Sequence, residues 1–580
     1  MFVGSLDSGT SSTRFMMFDA KGAIVGSHQL EHKQYYPSPG MVEHDAEEIW
    51  ECAKKTIEIT LAKTNLKADD IETIGITNQR ETTVIWNKNT GQPYHRAIVW
   101  NDTRTQDICH RLSHTHGINR FRPITGLPIA PYFSATKIMY LLDEVSHLRE
   151  AAQKGEALFG TVDSYLLWKL TGGRVHATDV TNASRTLLMD LKSLQWSEEL
   201  LQVMDIPIRI LPTILPSSDA LRYGQICETA LSVLSGVRIT GVLGDQQAAL
   251  FGQGGFDRGD AKCTYGTGGF LLLNTGENIV PSNCGLITTV AFQLSSSHSA
   301  HYALEGAVAY CGSSIQWLRD NLQVLNQAQD SETLAHSVSD NGGVYFVPAF
   351  SGLLCPHWRD DARGAIVGLS AFNTKAHITR AALEATGFQT CEVLEAMRWD
   401  SDLSLRSLRV DGGMCKNSFL MQFISDIEGV PLVSPVQCET TAFGAALVAG
   451  LAVGFWDGLE EAQRVVDSIE SRRWSPQMSS SLRHDLRDRW ARAVSRTLNW
   501  TGEGDEDTRT NLMSSIKTTA VKVKRDHSWL AVIPGFREAG WVGIGDSFLT
   551  VMALIGFGLL VGVMTGLYLS ENSLRLLASV

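Results

Sequence analysis

The sequence predicts an α/β protein built from two related halves, with one long apolar segment after them. Helical and strand patterns alternate from Phe2 to about Trp500, which favours an α/β architecture over an all-α or all-β one. Two stretches, "VGSLDSGTSSTRFMMFDAKGAIV" and "GDAKCTYGTGGFLLLNTGENIV", share the order strand, Gly/Thr turn, strand. Such self-similarity indicates a duplicated unit, so we expect the halves to meet near residue 250.

Composition and charge are those of an ordinary globular protein. The chain has 580 residues, of which 44% are hydrophobic and 19% are charged, enough for at least two hydrophobic cores. The net charge of −12 argues against a nucleic-acid partner, because binding a phosphate backbone requires a dense basic face. The 10 cysteines form no C-x-x-C pair and no secretory signal precedes the first strand, which predicts reduced thiols in the cytosol.

The predicted hairpins place Gly9-Thr10 and Gly266-Thr267-Gly268 at their tips. Such tips present N–H and hydroxyl groups to a phosphate without side-chain bulk. The chain lacks the P-loop and the H-R-D and D-F-G set of protein kinases, which excludes two large classes of ATP enzyme. Two-domain sugar kinases and actin-like ATPases, which have one phosphate hairpin in each domain, remain.

Two polar sites interrupt predicted buried strands. In "IGITNQRETTVIWN", Arg80 and Glu81 lie where a strand ends, and either a polar hairpin tip or a binding site fits this pattern. In "GVLGDQQAALFGQ", Asp245 ends an apolar strand, where it fits either a helix N-cap or a general base beside a cleft. Gly412-Gly413 in "VDGGMCKN" is either a tight turn or a close approach to a ligand.

Several long, ordered segments resemble the glycerol kinases of the FGGY carbohydrate kinase family. They include "ITNQRETTVIW", "LFGTVDSYLLWKLTGG", "GDQQAALFGQ", "TYGTGGFLLLNTGE" and "ETTAFGAALVAGLAVGFW", and they extend to about residue 500. The resemblance implies two ribonuclease-H-like (actin-like ATPase) domains with a catalytic cleft between them. It also implies ATP-dependent, Mg²⁺-assisted phosphorylation of glycerol to sn-glycerol 3-phosphate, feeding glycerol catabolism and glycerolipid synthesis.

Residue roles follow from the resemblance position by position. Asp245 would be the catalytic base, and Asp7 the carboxylate near the magnesium ion. The glycerol contacts would be Arg80, Glu81, Trp100, Tyr132, Asp245, Gln246 and Phe270. The ATP contacts would be Thr10, Ser11, Ser12, Arg14, Thr267, Gly312, Gln316, Gly413 and Asn417. The chain departs from the family pattern at Gly269, where cysteine is common, and it has Cys311 beside a nucleotide glycine.

The resemblance divides the folded part into two FGGY kinase domains. Residues 1–250 would bind glycerol and phosphate, and residues 251–500 would bind the nucleotide. A kinase of the same fold acting on another polyol or a ketose is the alternative within this class. A non-catalytic, membrane-anchored binding protein is the alternative from another class, and Arg80, Glu81, Asp245 and both phosphate hairpins favour the enzyme over it.

The last part of the chain has a different composition. Residues 501–547 are polar, charged and turn-rich, as expected of a linker, and 548–569 contain no charge, which gives a helix of about 33 Å, enough to cross a bilayer. We expect a tail-anchored enzyme facing the cytosol. Similar tails in eukaryotic members of the family imply the mitochondrial outer membrane, beside a cytoplasmic pool. Glycines four residues apart in this segment are compatible with a homo-oligomer.

Overall fold

The structure, a computed structural model, describes residues 1–437 and 439–501. The predicted membrane segment at 548–569, and all but the first residue of the predicted linker, lie outside the described residues. Within the described part, no helix has both the length and the hydrophobicity to cross a bilayer. We call residues 1–252 the first half, because a helix ends there, and the remaining described residues the second half.

The first half contains strands β1 to β14 and helices α1 to α9. The strands are β1 Phe2–Ser8, β2 Ser12–Phe18, β3 Ile24–Glu31, β4 Gln34–Tyr35, β5 Glu43–His44, β6 Ile71–Asn78, β7 Val84–Asn87, β8 Ala97–Ile98, β9 Ala157–Gly160, β10 Ala177–Asp179, β11 Met189–Asp190, β12 Gln195–Trp196, β13 Thr213–Leu215 and β14 Ile239–Gly244. The helices are α1 Ala46–Thr64, α2 Gln106–Ser113, α3 Arg122–Thr125, α4 Ser134–Glu144, α5 Leu148–Lys154, α6 Val162–Leu170, α7 Val180–Ala183, α8 Glu198–Val203 and α9 Asp245–Gly252.

The second half contains strands β15 to β23 and helices α10 to α16. The strands are β15 Ala261–Tyr265, β16 Gly269–Gly276, β17 Ile287–Phe292, β18 His301–Val308, β19 Tyr345–Val347, β20 Ala365–Val367, β21 Leu408–Asp411, β22 Leu432–Pro435 and β23 Ser471–Trp474. The helices are α10 Gly312–Asp320, α11 Asp330–His336, α12 Lys375–Ser401, α13 Ser418–Glu428, α14 Thr440–Ala452, α15 Leu459–Ser468 and α16 Ser480–Ser495.

Each half is organised around one mixed sheet with the same core arrangement. The first sheet has the order β14-β6-β1-β2-β3, and the second has the order β17-β18-β16-β15-β21-β22-β23. In both, the strand before a phosphate hairpin pairs antiparallel with the strand after it, and parallel with a later strand on its other side. The predicted two-domain α/β fold is therefore confirmed, whereas the domain boundary at residue 250 stays a prediction.

Strands β1 and β2 of the first sheet are covered on both faces, and their alternate side chains pack into different clusters. Leu6, Phe15 and Met17 pack into the cluster that contains α1, whereas Val3 and Phe18 pack into the cluster that contains α14. Helix α14 lies between β22 and β23 of the second sheet in sequence, yet it packs on β1, β6 and β14 of the first. A helix from the second half therefore covers one face of the first sheet.

Glycine makes this close helix packing feasible. A Cβ atom on Gly75 of β6 would lie 2.0 Å from the carbonyl oxygen of Ala445 in α14. A Cβ atom on Gly444 would lie 1.9 Å from the carbonyl oxygen of Ala248 in α9. Since real Cβ atoms do not approach backbone oxygens so closely, alanine at either position would force α14 away from its neighbours.

Helix α1 begins and ends at residues that favour those positions. Asp45 is the N-cap, and its side chain accepts hydrogen bonds from the backbone N–H groups of Glu47 and Glu48. Asn65 ends the helix in the left-handed conformation that asparagine tolerates. Replacing the Asp45 cap with alanine would cost about 1 kcal/mol of stability. The apolar positions recur every four residues and face the sheet: Ile49, Ala53, Ile57 and Leu61.

Candidate active site

Three parallel strands of the first sheet end side by side and bring the predicted polar residues to one edge. Ser8 of β1 pairs with Asn78 of β6, and Asn78 pairs with Gly244 of β14. The first phosphate hairpin, Arg80 and Asp245 directly follow these strand ends. Because ligands bind at the carboxyl ends of parallel strands in open α/β sheets, this edge is the candidate site.

Arg80 lies inside the protein, with most of its N–H groups on protein acceptors. Its Nη1 donates to Glu305 Oε2 at 2.5 Å and to Gln247 Oε1 at 3.2 Å, and its Nη2 donates to Glu305 Oε1 at 2.8 Å. Its Nε lies 3.3 Å from Asp245 Oδ1. Arg80 is only 3% exposed, so the "NQRE" segment is a buried polar site and not a hairpin tip in solvent.

Glu81 has an unusual backbone conformation and a fixed side chain. Its φ is +59°, in the left-handed region, and non-glycine residues in such sparsely populated regions cost of order 1–3 kcal/mol. Its carbonyl oxygen accepts from the hydroxyl of Ser134 at 2.9 Å, and its Oε1 accepts from Arg185 Nε at 2.6 Å. Burial raises the pKa of Glu81, although Arg185 and Arg80 oppose this rise. Backbone strain at a buried carboxylate points to a functional position.

Asp245 is the first residue of α9, and Gly244 occupies the N-cap position. The Asp245 Oδ1 accepts the N–H of Gln246 at 2.8 Å, and the side chain remains 26% exposed. Burial raises the pKa of Asp245, and the opposing charges of Arg80 and Lys262 only partly offset this effect. Its partial exposure and raised pKa suit a proton acceptor better than a purely structural cap.

The three predicted ring residues meet at one wall of the site. The rings of Trp100 and Tyr132 are 5.6 Å apart and nearly perpendicular, and Phe270 lies 6.1 Å from Trp100. The indole N–H of Trp100 donates to the Thr10 hydroxyl at 3.0 Å, which ties this wall to the first phosphate hairpin. Phe270 comes from β16 of the second half, so both halves contribute to the wall.

A buried lysine lies beside the predicted carboxylates. The Nζ of Lys262 donates to Gln246 Oε1 at 2.5 Å and to the Thr264 hydroxyl at 2.9 Å. Burial lowers the pKa of Lys262, although Asp411 and Asp245 oppose this effect. Lys262 therefore fixes the predicted substrate residue Gln246 and partly neutralises the carboxylates around it.

The carboxylate of Asp7 suits a magnesium ion that is carried by phosphates. Burial raises the pKa of Asp7 to about 6, Arg14 lowers it, and the charge of Asp245 adds to the rise. In the described residues, no group of three or more acidic, histidine or cysteine side chains forms a complete metal cage. Because Mg²⁺ is usually held by one or two carboxylates together with water and phosphate oxygens, this donor set fits it.

The first phosphate hairpin is a tight turn, and one of its predicted ATP contacts is engaged elsewhere. The N–H of Gly9 donates to the carbonyl oxygen of Ser12 at 2.9 Å, which closes the turn between β1 and β2 and leaves Ser11 exposed at its tip. Arg14 forms an ion pair with Glu439, which precedes α14, and its Nε donates to Gln29 Oε1 at 3.1 Å. Binding of ATP by Arg14 would compete with the pair to Glu439.

The predicted nucleotide residues of the second half also share one sheet edge. Thr264 of β15 pairs with Asp411 of β21, so the second hairpin and the Gly412-Gly413 turn are neighbours. The N–H of Gly312 donates to the carbonyl oxygen of Gly266 at 3.0 Å, which places the start of α10, and with it Gln316, against the hairpin. On the other side of the turn, Asn417 caps α13 through its side chain.

Comparison with protein-family models identifies the enzyme family to which this site belongs. The model of the "FGGY family of carbohydrate kinases, N-terminal domain" matches residues 2–252, and the C-terminal domain model matches residues 261–453. The chain belongs to the FGGY family of carbohydrate kinases. A glycerol kinase of Leifsonia xyli is 53% identical over 511 residues, which cover 88% of this chain and 99% of that relative. A glycerol kinase of Chloroflexus aurantiacus is also 53% identical, over 86% of this chain and 99% of its own.

Solved FGGY structures share the fold. The ADP complex of Plasmodium falciparum glycerol kinase superposes with a TM-score of 0.80 at 37% identity, covering 86% of this chain and 98% of that one. A xylulose kinase of Lactobacillus acidophilus superposes with a TM-score of 0.75 at 21% identity, covering 87% and 99%. The second likeness concerns the fold alone.

Four polar residues of this FGGY site were missed by the sequence analysis: Arg185, Gln247, Lys262 and Glu305. Glu305 is a buried carboxylate in the otherwise apolar strand β18, and Lys262 is a buried cation in β15. A charge in the middle of an apolar strand is a local signal that could have singled out both residues. Arg185 gives no such signal, because it follows the short polar helix α7.

The departure of this chain at Gly269 has a structural partner. A Cβ atom on Gly269 would lie only 3.0 Å from the Cys311 sulfur. Cys311 is fully buried and thus occupies the space that a side chain at 269 would need. The two departures noted in the sequence are therefore complementary in volume.

Proposed function

We propose that this chain is an ATP:glycerol 3-phosphotransferase, which converts glycerol and ATP to sn-glycerol 3-phosphate and ADP. The observation that carries this proposal is the convergence of Arg80, Glu81 and Asp245 beside the ring wall at one sheet edge. Relatives that are 53% identical over nearly their whole length bear the name glycerol kinase, which supports the same activity here.

The polar groups match a polyol that offers both hydroxyl donors and acceptors. In the described residues, the hydrogen bonds of Arg80 leave one N–H of Nη2 for a ligand, and those of Glu81 leave Oε2. A hydroxyl can accept from the first group while a neighbouring hydroxyl donates to the second. The rings of Trp100, Tyr132 and Phe270 would pack on the carbon side of the polyol.

The reaction requires one proton acceptor and close charge compensation. Asp245 would accept the proton of the attacking hydroxyl as the new O–P bond forms and the bond from the γ-phosphorus to ADP breaks. Asp7 would lie near the Mg²⁺ ion, which would neutralise the phosphate charge when it is bound. The nucleotide would lie along Thr267, Gly312, Gln316, Gly413 and Asn417, with its phosphates toward Thr10, Ser11, Ser12 and Arg14.

One coupled assay of ADP release tests this function against its alternatives. Glycerol, dihydroxyacetone, xylulose and a reaction without acceptor are compared, with the Asp245→Asn variant as the matched control. We expect glycerol to give the highest kcat/KM and the variant to be nearly inactive. Preference for a ketose would assign a related kinase activity, and no acceptor-dependent ADP release would favour a binding protein.

We further propose that residues 548–569 anchor the enzyme in a membrane, with the catalytic unit in the cytosol and a mitochondrial outer-membrane address. The uninterrupted apolar composition of this segment supports the anchor. Deleting 548–580 should release active kinase from alkaline-washed membranes, and a full-length protein that is already released by this wash would contradict the anchor. Cross-linking of the full-length protein and of the variant without 548–580 tests whether the segment mediates self-association. We do not expect a nucleic-acid partner.

A further inference from the structure

A buried ion cluster contains two of the predicted substrate residues and two further charged side chains. It consists of Arg80, Glu81, Arg185 and Glu305, each at most 3% exposed. Arg80 donates two hydrogen bonds to Glu305, at 2.5 and 2.8 Å, and Arg185 donates one to Glu81, at 2.6 Å. Arg185 Nη2 also lies 3.3 Å from Glu305 Oε1. We call these four side chains the ion cluster.

Burying the ion cluster in the core has a large desolvation cost. Removing a charge from water costs several kcal/mol, and apolar residues of similar volume often stabilise a fold as well as a buried ion pair does. Burial alone would raise the pKa of Glu305, yet Arg185 and Arg80 hold it at about 2. The carboxylate therefore stays ionised, and the two positive charges of the cluster are balanced by its two negative ones.

The geometry of Glu305 restricts Arg80 to one orientation. The two carboxylate oxygens of Glu305 accept hydrogen bonds from Nη1 and Nη2 of Arg80, and Gln247 accepts the second hydrogen bond from Nη1. Asp245 lies at the remaining edge, 3.3 Å from Nε. Of the N–H groups on Nη1 and Nη2, one is thus left for a ligand in the described structure, in a fixed direction, while Nε faces Asp245.

Arg185 has the same relation to the other predicted substrate group. Its Nε donates a hydrogen bond to Oε1 of Glu81, so Oε2 of Glu81 remains available to a ligand. The Arg185 guanidinium also lies 5.4 Å from the centre of the Tyr132 ring. Arg185 therefore contacts two of the predicted substrate residues, Glu81 and Tyr132, and Glu305 connects it to another, Arg80.

We infer that Glu305 and Arg185 are positioning residues that set the selectivity of this site for neighbouring hydroxyl groups. They leave one donor on Arg80 and one acceptor on Glu81 at a fixed separation, which suits two adjacent hydroxyls better than an isolated one. This inference rests on the proposed glycerol kinase activity. A site built to hydrogen-bond a hydroxyl discriminates strongly against an analogue that lacks it, because its buried polar groups are then left unpaired.

The test compares glycerol with 1,3-propanediol, which lacks the middle hydroxyl, in the parent enzyme and in Glu305→Gln. The glutamine has nearly the same shape, but its amide group cannot accept the forked pair from Arg80. We expect the KM for glycerol to rise at least about 30-fold, the KM for ATP to change less than about twofold, and the preference for glycerol over the diol to fall at least about tenfold.

Glu384→Gln is the matched control for loss of a buried carboxylate. Glu384 is also 3% exposed and accepts from Arg380 at 2.8 Å and Asn341 at 2.9 Å, but it lies on α12, outside the ion cluster. This control should lower the melting temperature and leave the KM for glycerol and the preference for it unchanged.

Two further measurements separate positioning from general loss of structure. Arg185→Lys keeps the charge but not the planar fork, so it should also raise the KM for glycerol selectively, and it decides the question if Glu305→Gln does not fold. Arg80→Lys combined with Glu305→Gln should cost at least about fivefold less than the product of the single effects. The inference would be overturned if folded Glu305→Gln or Arg185→Lys kept the preference for glycerol, or if the KM values for glycerol and ATP rose equally. Multiplicative effects of Arg80→Lys and Glu305→Gln in the double variant would also overturn it. A parent enzyme inactive on glycerol would instead refute the proposed function.

Discussion

Replacing Gly413 with alanine tests whether the nucleotide passes along the turn after β21. Gly413 starts a short 3-10 helix, Gly413–Lys416, and its φ lies outside the left-handed region. An added Cβ atom would meet no described atom within 4 Å. The folded protein can therefore accept alanine, and the smaller entropy of the unfolded chain should raise the free energy of unfolding by up to about 1 kcal/mol.

The expected effect falls on ATP alone. If ATP occupies the open space beside Gly413, the added methyl group overfills that contact at a cost of about 1–3 kcal/mol. At 1.4 kcal/mol per factor of ten, this cost corresponds to a rise of about 5- to 150-fold in the KM for ATP. The KM for glycerol should not change, because Arg80, Glu81 and Asp245 follow strands of the other sheet.

Gly412→Ala provides the contrast. Gly412 has a φ of +92°, and a Cβ atom there would lie 2.4 Å from the carbonyl oxygen of Tyr265. This variant should lower the melting temperature as well as the affinity for ATP, since the turn itself must shift. Coupled kinetics with varied ATP, calorimetry with ADP and thermal unfolding distinguish the two variants. An unchanged KM for ATP in stable Gly413→Ala would refute the assignment of Gly413 to the nucleotide site.

Asp245→Asn should lower kcat about 10²- to 10⁴-fold, and calorimetry should show unchanged ADP binding, because a proton acceptor is lost with little change in volume. In the parent enzyme, kcat/KM for glycerol should fall as acid protonates Asp245, whose pKa burial raises, at a pH above the usual aspartate range; a flat profile would contradict a general base. Arg80→Ala and Glu81→Ala should raise the KM for glycerol much more than that for ATP in the same assay, and equal rises would make the pair structural. Glu439→Gln frees Arg14 and should lower the KM for ATP by up to about fivefold, whereas a higher KM would show that the ion pair assists nucleotide binding.

Local sequence signals predicted the parts of the site that lie next to one another in the chain. Both phosphate hairpins, the strand end before Arg80 and the strand end before Asp245 were predicted from short patterns of apolar, glycine and polar residues. The structure has one strand ending at Asn78, two residues before Arg80, and another ending at Gly244, directly before Asp245. Turn chemistry and strand periodicity act over a few residues, so one sequence is enough to show them.

The contacts that orient the site could not be predicted in this way. Arg80 and Glu305 are 225 positions apart, and Arg185 and Glu81 are 104 positions apart. Their pairing depends on how β18 and α7 pack against the first sheet edge, which no local pattern specifies. The sequence analysis accordingly predicted that Arg80 and Glu81 face the substrate, but not that protein partners use most of their hydrogen-bonding groups.

The predicted boundary near residue 250 separates the two duplicated units, but residues from both sides of it form the candidate site. Helix α14 of the second half covers the sheet of the first, and its backbone approaches so closely at Gly75 and Gly444 that no side chain intervenes. The wall beside Trp100 needs Phe270, and the orientation of Arg80 needs Glu305, both from strands of the second sheet. Neither half alone holds all of the predicted polyol contacts, so we expect recognition of the substrate to depend on the two halves being packed together.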